Sequence, residues 1–147
     1  MKRVLIPVLI SFIIFSACES TDDILERIDH TVPDIHFTKD SVVVNAGDIL
    51  SVEALIEDES GIERIEFSYG NWRINEIVDL AGETGTETYT FTADISVPVD
   101  AALEWEEEFY YNDASSITII QQYHKLALSV WDKNRNLRKA FLYVKVK

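Results

Sequence analysis

The sequence predicts an all-β domain, an immunoglobulin-like antiparallel sandwich of about seven strands. Two observations carry this reading: apolar and polar residues alternate in short runs, and turn residues separate those runs at regular spacing. A third is that no long stretch reads as a helix, so one sheet must bury its apolar face against another.

The elements follow in order. Val42 to Val44 forms a strand, and Asn45-Ala46-Gly47-Asp48 turns the chain into Ile49 to Glu57, where Leu50, Val52, Ala54 and Ile56 share a face. Glu59-Ser60-Gly61 makes a tight connection to a strand carrying Ile65, Phe67 and Tyr69 on one side. Ile74 to Leu80 is a further strand, followed by the turn-rich Ala81-Gly82-Glu83-Thr84-Gly85. Tyr89 to Val97 presents Tyr89, Phe91, Ala93, Ile95 and Val97 on one face. Leu126, Leu128 and Val130 mark the penultimate strand, and beyond Lys133-Asn134-Arg135-Asn136 the last strand presents Leu142, Val144 and Val146. A body of this size buries roughly two-thirds of its unfolded surface.

The first residues have a separate purpose. Lys2 and Arg3 precede Val4 to Phe15, an apolar run broken only by Pro7 and Ser11, and the small residues Ser16 and Ala17 follow. A permanent span needs about 20 apolar residues, so residues 1–17 read as a secretory signal peptide. The single cysteine, Cys18, cannot form a disulfide within the chain, and Glu19, Ser20, Thr21, Asp22 and Asp23 make a buried position unsuitable for it. Residues 18–32 read as an acidic tether, and residues 33–147 as the sandwich domain.

Charge excludes one class of partner. Glu19 to Asp113 carries 25 acidic side chains against four basic ones, while Ala114 to Lys147 carries seven basic and one acidic. A surface this acidic repels phosphates, so no nucleic-acid role is expected. There is no phosphate loop and no nucleophile signature, the three histidines lack ligand spacing, and neither a cofactor nor an enzymatic activity is expected.

Two resemblances add to this. Phe15-Ser16-Ala17-Cys18 resembles the lipobox of bacterial lipoproteins, with phenylalanine where leucine is usual. It implies diacylglycerol on the Cys18 thiol, cleavage before it, and acylation of the new amino terminus. The acidic residues after Cys18 are similar to the surface-export signal of Bacteroidota lipoproteins, which implies an outer-membrane protein exposed at the cell surface. "VPDIHF", "AGDILSVEALIEDESGIERIEFSY", "ISVPVDA" and "LALSVWDKNRN" resemble the Ig-like lipoprotein family called domain of unknown function 4625. That family carries a D-x-x-G-N turn, and here Arg135 stands in the glycine position.

Residues 103–120, "LEWEEEFYYNDASSITII", form an insertion longer than such a connection needs. Trp105, Phe109, Tyr110 and Tyr111 beside Glu104, Glu106, Glu107 and Glu108 suit a carbohydrate surface, where rings stack on sugars and carboxylates take hydroxyl hydrogen bonds. The same residues would equally serve as an aromatic cap on a sheet edge with a solvated acidic rim. Trp131 and Tyr123, with Phe141 and Tyr143, are expected to point outward on the last two strands. That patch either binds a ligand or is covered by the insertion, and covering by the insertion explains both features at once. Asp58 and Asp132 sit in turns that an immunoglobulin-like fold places at one end, where such acids either hold calcium or cap their own backbone.

The expected function is a lipid-anchored, non-catalytic envelope module that binds a glycan or another envelope protein. The alternative is a structural or assembly component, a spacer or pilus-like subunit. Exposure of Trp105, Tyr110, Trp131 and Tyr143 together favours the first, and mutual burial favours the second.

Overall fold

The computed structural model describes residues 31–112 and 115–147. The expected signal peptide, Cys18 and most of the expected tether lie outside the described residues. The strands are β1 (Asp34–Phe37), β2 (Ser41–Val44), β3 (Ile49–Glu57), β4 (Ile62–Tyr69), β5 (Ile74–Asp79), β6 (Thr88–Ser96), β7 (Trp105–Asn112), β8 (Ser115–Gln121), β9 (His124–Asp132) and β10 (Leu137–Val146). A 3-10 turn at Gly70–Trp72 joins β4 to β5. No helix among the described residues is long and apolar enough to cross a membrane.

Two sheets form the body, β1-β3-β6 and β2-β10-β9-β4-β5. The first strand is divided between them: β1 pairs antiparallel with β3, and β2 then pairs parallel with β10. The fold is an immunoglobulin-like β-sandwich.

The alternation read from sequence is what fills the core. In β3 burial alternates at every position, so Leu50, Val52, Ala54 and Ile56 all face inward. A slip of one residue would turn that set to solvent, which fixes the register with β6. From the opposite sheet come Ile65, Phe67, Leu126, Leu128, Val130 and Val144, all with no exposed surface. Phe67 and Phe91 meet across the layers at 5.4 Å between ring centres. Burying each such side chain stabilises the fold by roughly 1.5–3 kcal/mol.

The seven anticipated strands all form, as β2 to β6 with β9 and β10. Three more accompany them. β1 is a four-residue strand whose half-buried Ile35 and Phe37 give too short a pattern to read. β7 and β8 form a two-stranded sheet of their own out of the insertion.

At the turn between β3 and β4, Gly61 has φ +88, and a Cβ there would stand 2.8 Å from Thr86 Oγ1. At the turn between β9 and β10, Arg135 also has positive φ, 68°. A glycine would adopt that conformation without steric cost, which explains the glycine in the turn that this segment resembles.

Candidate functional site

The chemistry gathers where the insertion leaves the body, and His124 organises it. His124 opens β9 in phase with Leu126, Leu128 and Val130, so its ring is driven inward and only 2% exposed. Its Nε2–H donates to the Ala102 carbonyl at 2.8 Å. A carbonyl only accepts, so the proton resides on Nε2 and Nδ1 is left to accept from the Tyr69 hydroxyl at 2.7 Å. Asn71 Nδ2 in turn donates to the Tyr69 oxygen at 3.1 Å. Three rings surround the imidazole: Trp72 at 4.6 Å, Trp105 at 4.7 Å and Tyr69 at 5.6 Å between centres.

Burial lowers the His124 pKa below its ordinary 6.5, with the Ala102 hydrogen bond opposing. Burial likewise raises the Tyr69 hydroxyl above 10.0, with the Asn71 hydrogen bond opposing. Folding therefore favours the neutral imidazole, and the unfolded chain takes up the proton first as pH falls. Stability is complete above about pH 6.5 and declines below it. Thermal melts should show a midpoint that holds above about pH 6.5 and drops below it, and a flatter profile in His124→Gln. An identical slope in both chains would place the effect elsewhere.

Around this hub lies a cleft of ≈ 200 Å³ lined by Tyr69, Asn71, Trp105, Glu107, Gln121, Tyr123 and Lys125. The strands β4, β7, β8 and β9 each contribute, and the turn at Gly70–Trp72 supplies Asn71. The cleft has rings on its walls and amide, carboxylate and ammonium groups between them. Gln121 Nε2 donates to Glu107 Oε2 at 2.8 Å, which holds that carboxylate in place across the two strands of the hairpin. The volume is below the about 300–1,000 Å³ of pockets for drug-sized ligands and suits a single ring.

Of the residues expected to form a ligand surface, Trp105, Glu107 and Tyr123 line this cleft, and Tyr110, Tyr111, Trp131 and Tyr143 do not. Tyr110 and Tyr111 stand far out on the hairpin, 71% and 72% exposed. Trp131 lies at the other end of β9, six residues and about 20 Å from Lys125. It is half-buried, with the Arg64 guanidinium 5.5 Å above its ring. Tyr143 faces outward beside Lys125 at the cleft end of β10. The four test aromatics are thus neither exposed together nor buried against each other.

The insertion leaves the outer face of β9 and β10 uncovered, and its two strands pair with each other as a separate sheet. Tyr123, Phe141 and Tyr143 keep 41%, 40% and 39% of their surface exposed. His124, Tyr69, Asn71 and Lys125 join the site without having been expected there. The available signal is the phase of His124, an inward position on an otherwise apolar strand face.

Asp58 and Asp132 do come to adjacent turns, since Ile62 pairs with Asp132 and the Lys133 N–H donates to the Gly61 carbonyl at 2.9 Å. Their oxygens are engaged locally. Asp58 Oδ1 accepts from the Ser60 N–H and hydroxyl. Asp132 Oδ1 accepts from the N–H groups of Asn134 and Asn136, and its Oδ2 from Asn136 Nδ2. This is turn-capping chemistry. Among the described residues no three His, Cys, Asp or Glu side chains are placed to hold a metal ion.

Comparison with protein families, curated proteins and solved structures gives no match for the chain.

A larger groove of ≈ 490 Å³ follows the open edge where the chain crosses from β1 to β2. Its polar walls are bonded internally, Ser51 to Asp94 at 2.6 Å and Thr38 to Glu53 at 3.3 Å. Phe37 is its single ring. With three rings on its walls, the cleft at the hairpin base is better equipped than this groove.

Proposed function

We propose that the chain is a lipid-anchored protein of the outer membrane, exposed at the cell surface, whose immunoglobulin-like domain binds glycan without catalysis. The carrying observation is the cleft at the base of β7 and β8. Trp105, Tyr123 and Tyr69 offer ring surfaces there, and Asn71, Glu107, Gln121 and Lys125 offer donors and acceptors at the rim. A sugar ring has apolar faces and a polar edge, and this lining complements both.

The carboxylates support the non-catalytic reading. Glycoside hydrolysis needs two carboxyls facing each other across a cleft, about 5–9 Å apart. Glu106, Glu107 and Glu108 are consecutive on β7, so their side chains alternate between faces and only Glu107 lines the cleft. The lipobox-like Phe15 to Cys18 segment and the acidic tether support the location. The motifs similar to the domain of unknown function 4625 family fit the same reading and supply no activity of their own.

The test is affinity electrophoresis of the chain through gels containing neutral or acidic polysaccharides. Tyr123→Ala should weaken retardation about three- to tenfold, the worth of one stacked ring, and Trp105→Ala at least as much. Trp131→Ala, at the distant end of β9, should change nothing. Equal retardation of all three variants would refute a sugar site at the hairpin base.

A further inference from the structure

We propose that the β7–β8 hairpin of one copy docks on the outer β9–β10 face of another copy of this chain. Cross-strand pairing sorts the hairpin into two faces. Trp105, Glu107 and Phe109 share one with Gln121, Ile119 and Ile117, while Glu106, Glu108 and Tyr110 share the other with Ile120, Thr118 and Ser116. The Trp105 face leans toward the body, because Trp105, Glu107 and Gln121 line the cleft. The Glu106 face is turned to solvent, with Ile120 61% and Tyr110 71% exposed.

A two-stranded hairpin in water is marginally stable by itself, and this one exposes Tyr110 and Ile120 on the outward face and Phe109, Ile117 and Ile119 farther out on the other, a pattern that marks an interface. Charge identifies the occupant. Trp105 to Gln121 contains no lysine or arginine, and the outward face carries Glu106 and Glu108. The outer face of β10 alternates Lys139, Phe141, Tyr143 and Lys145, with Leu137 47% exposed at one end. Lys145 is held upright by its bond to Gln122 Oε1 at 2.9 Å. In a chain of net charge -13 this basic, aromatic strip is the natural complement of the acidic, aromatic hairpin. Eight residues of strand extend about 26 Å, enough to reach a neighbour on the same membrane. The contact joins two different surfaces, so it builds a ring or an open row of copies. It is independent of the glycan reading.

Sedimentation velocity of the full chain in density-matched detergent tests this. The wild-type chain should associate with rising concentration, and added salt should weaken the association. Glu106→Lys with Glu108→Lys should weaken it about tenfold or more, and so should Lys139→Glu with Lys145→Glu. Mixing the two variants, or combining all four substitutions in one chain, should restore association, because each reversed surface then meets its reversed partner. A wild-type chain that stays monomeric overturns the proposal and leaves the hairpin to a different partner. So does failure of the charge swap to restore what the separate variants lose.

Discussion

A Cys18→Ser chain is expected to leave the membrane fraction completely and to incorporate no labelled palmitate. This is the largest effect the account predicts. Each acyl methylene buried in the bilayer contributes about 0.8 kcal/mol, and a single myristoyl chain holds a protein only marginally. Two or three long chains on one residue pass from marginal to firm attachment, so removing their acceptor changes the location outright. Unchanged label uptake or membrane retention in Cys18→Ser would refute lipidation at this position.

Asp132→Ala is expected to destabilise the domain by about 3 kcal/mol, or lower its melting temperature by roughly 10–20 °C. Asp132 has no exposed surface, yet its carboxylate accepts three hydrogen bonds that shape the turn between β9 and β10. Hydrogen bonds to a charged acceptor contribute about 1.5–3 kcal/mol each, and they act here as one unit that cannot be summed. Alanine withdraws the acceptor while the turn still has to place Arg135 at positive φ. Asp132→Asn keeps one acceptor oxygen and should recover about half of the loss. Chemical denaturation that shows less than about 1 kcal/mol for Asp132→Ala would contradict this role.

The same residues show what sequence discloses and what it does not. Period-two alternation exposes the core strands because burial on one face is a local property. Leu50 to Ile56, Phe91 to Val97 and Leu126 to Val130 are therefore legible one segment at a time. The split of the first strand between two sheets depends on which distant edges are free, and four residues hold too little pattern to declare it. The hairpin is visible in sequence as an insertion with aromatic and acidic residues, but its direction is not. Whether it lies over β9 and β10 or projects from them is decided by the docking of Trp105 on His124, a contact between residues 19 apart in the chain. Of the anticipated ligand surface, Trp105, Glu107 and Tyr123 reach the cleft, while Tyr110 and Tyr111 lie farther out on the hairpin. His124 escapes a sequence reading because no further ligand accompanies it at metal-binding spacing. Its work is to join Tyr69, Trp72, Ala102 and Trp105, which lie in separate segments of the chain.

The central claim is that the cleft between the hairpin base and β4 holds a sugar ring, and its most direct measurement is a nuclear magnetic resonance titration. Oligosaccharides, neutral and acidic, would be added to the chain while the Trp105 indole N–H and the Asn71 and Gln121 side-chain amides are followed. Saturable shifts are expected at these three groups, requiring about three- to tenfold more sugar in Tyr123→Ala, with the Trp131 indole unmoved. Silence at Trp105 with every sugar, or saturable shifts confined to Trp131, would contradict it.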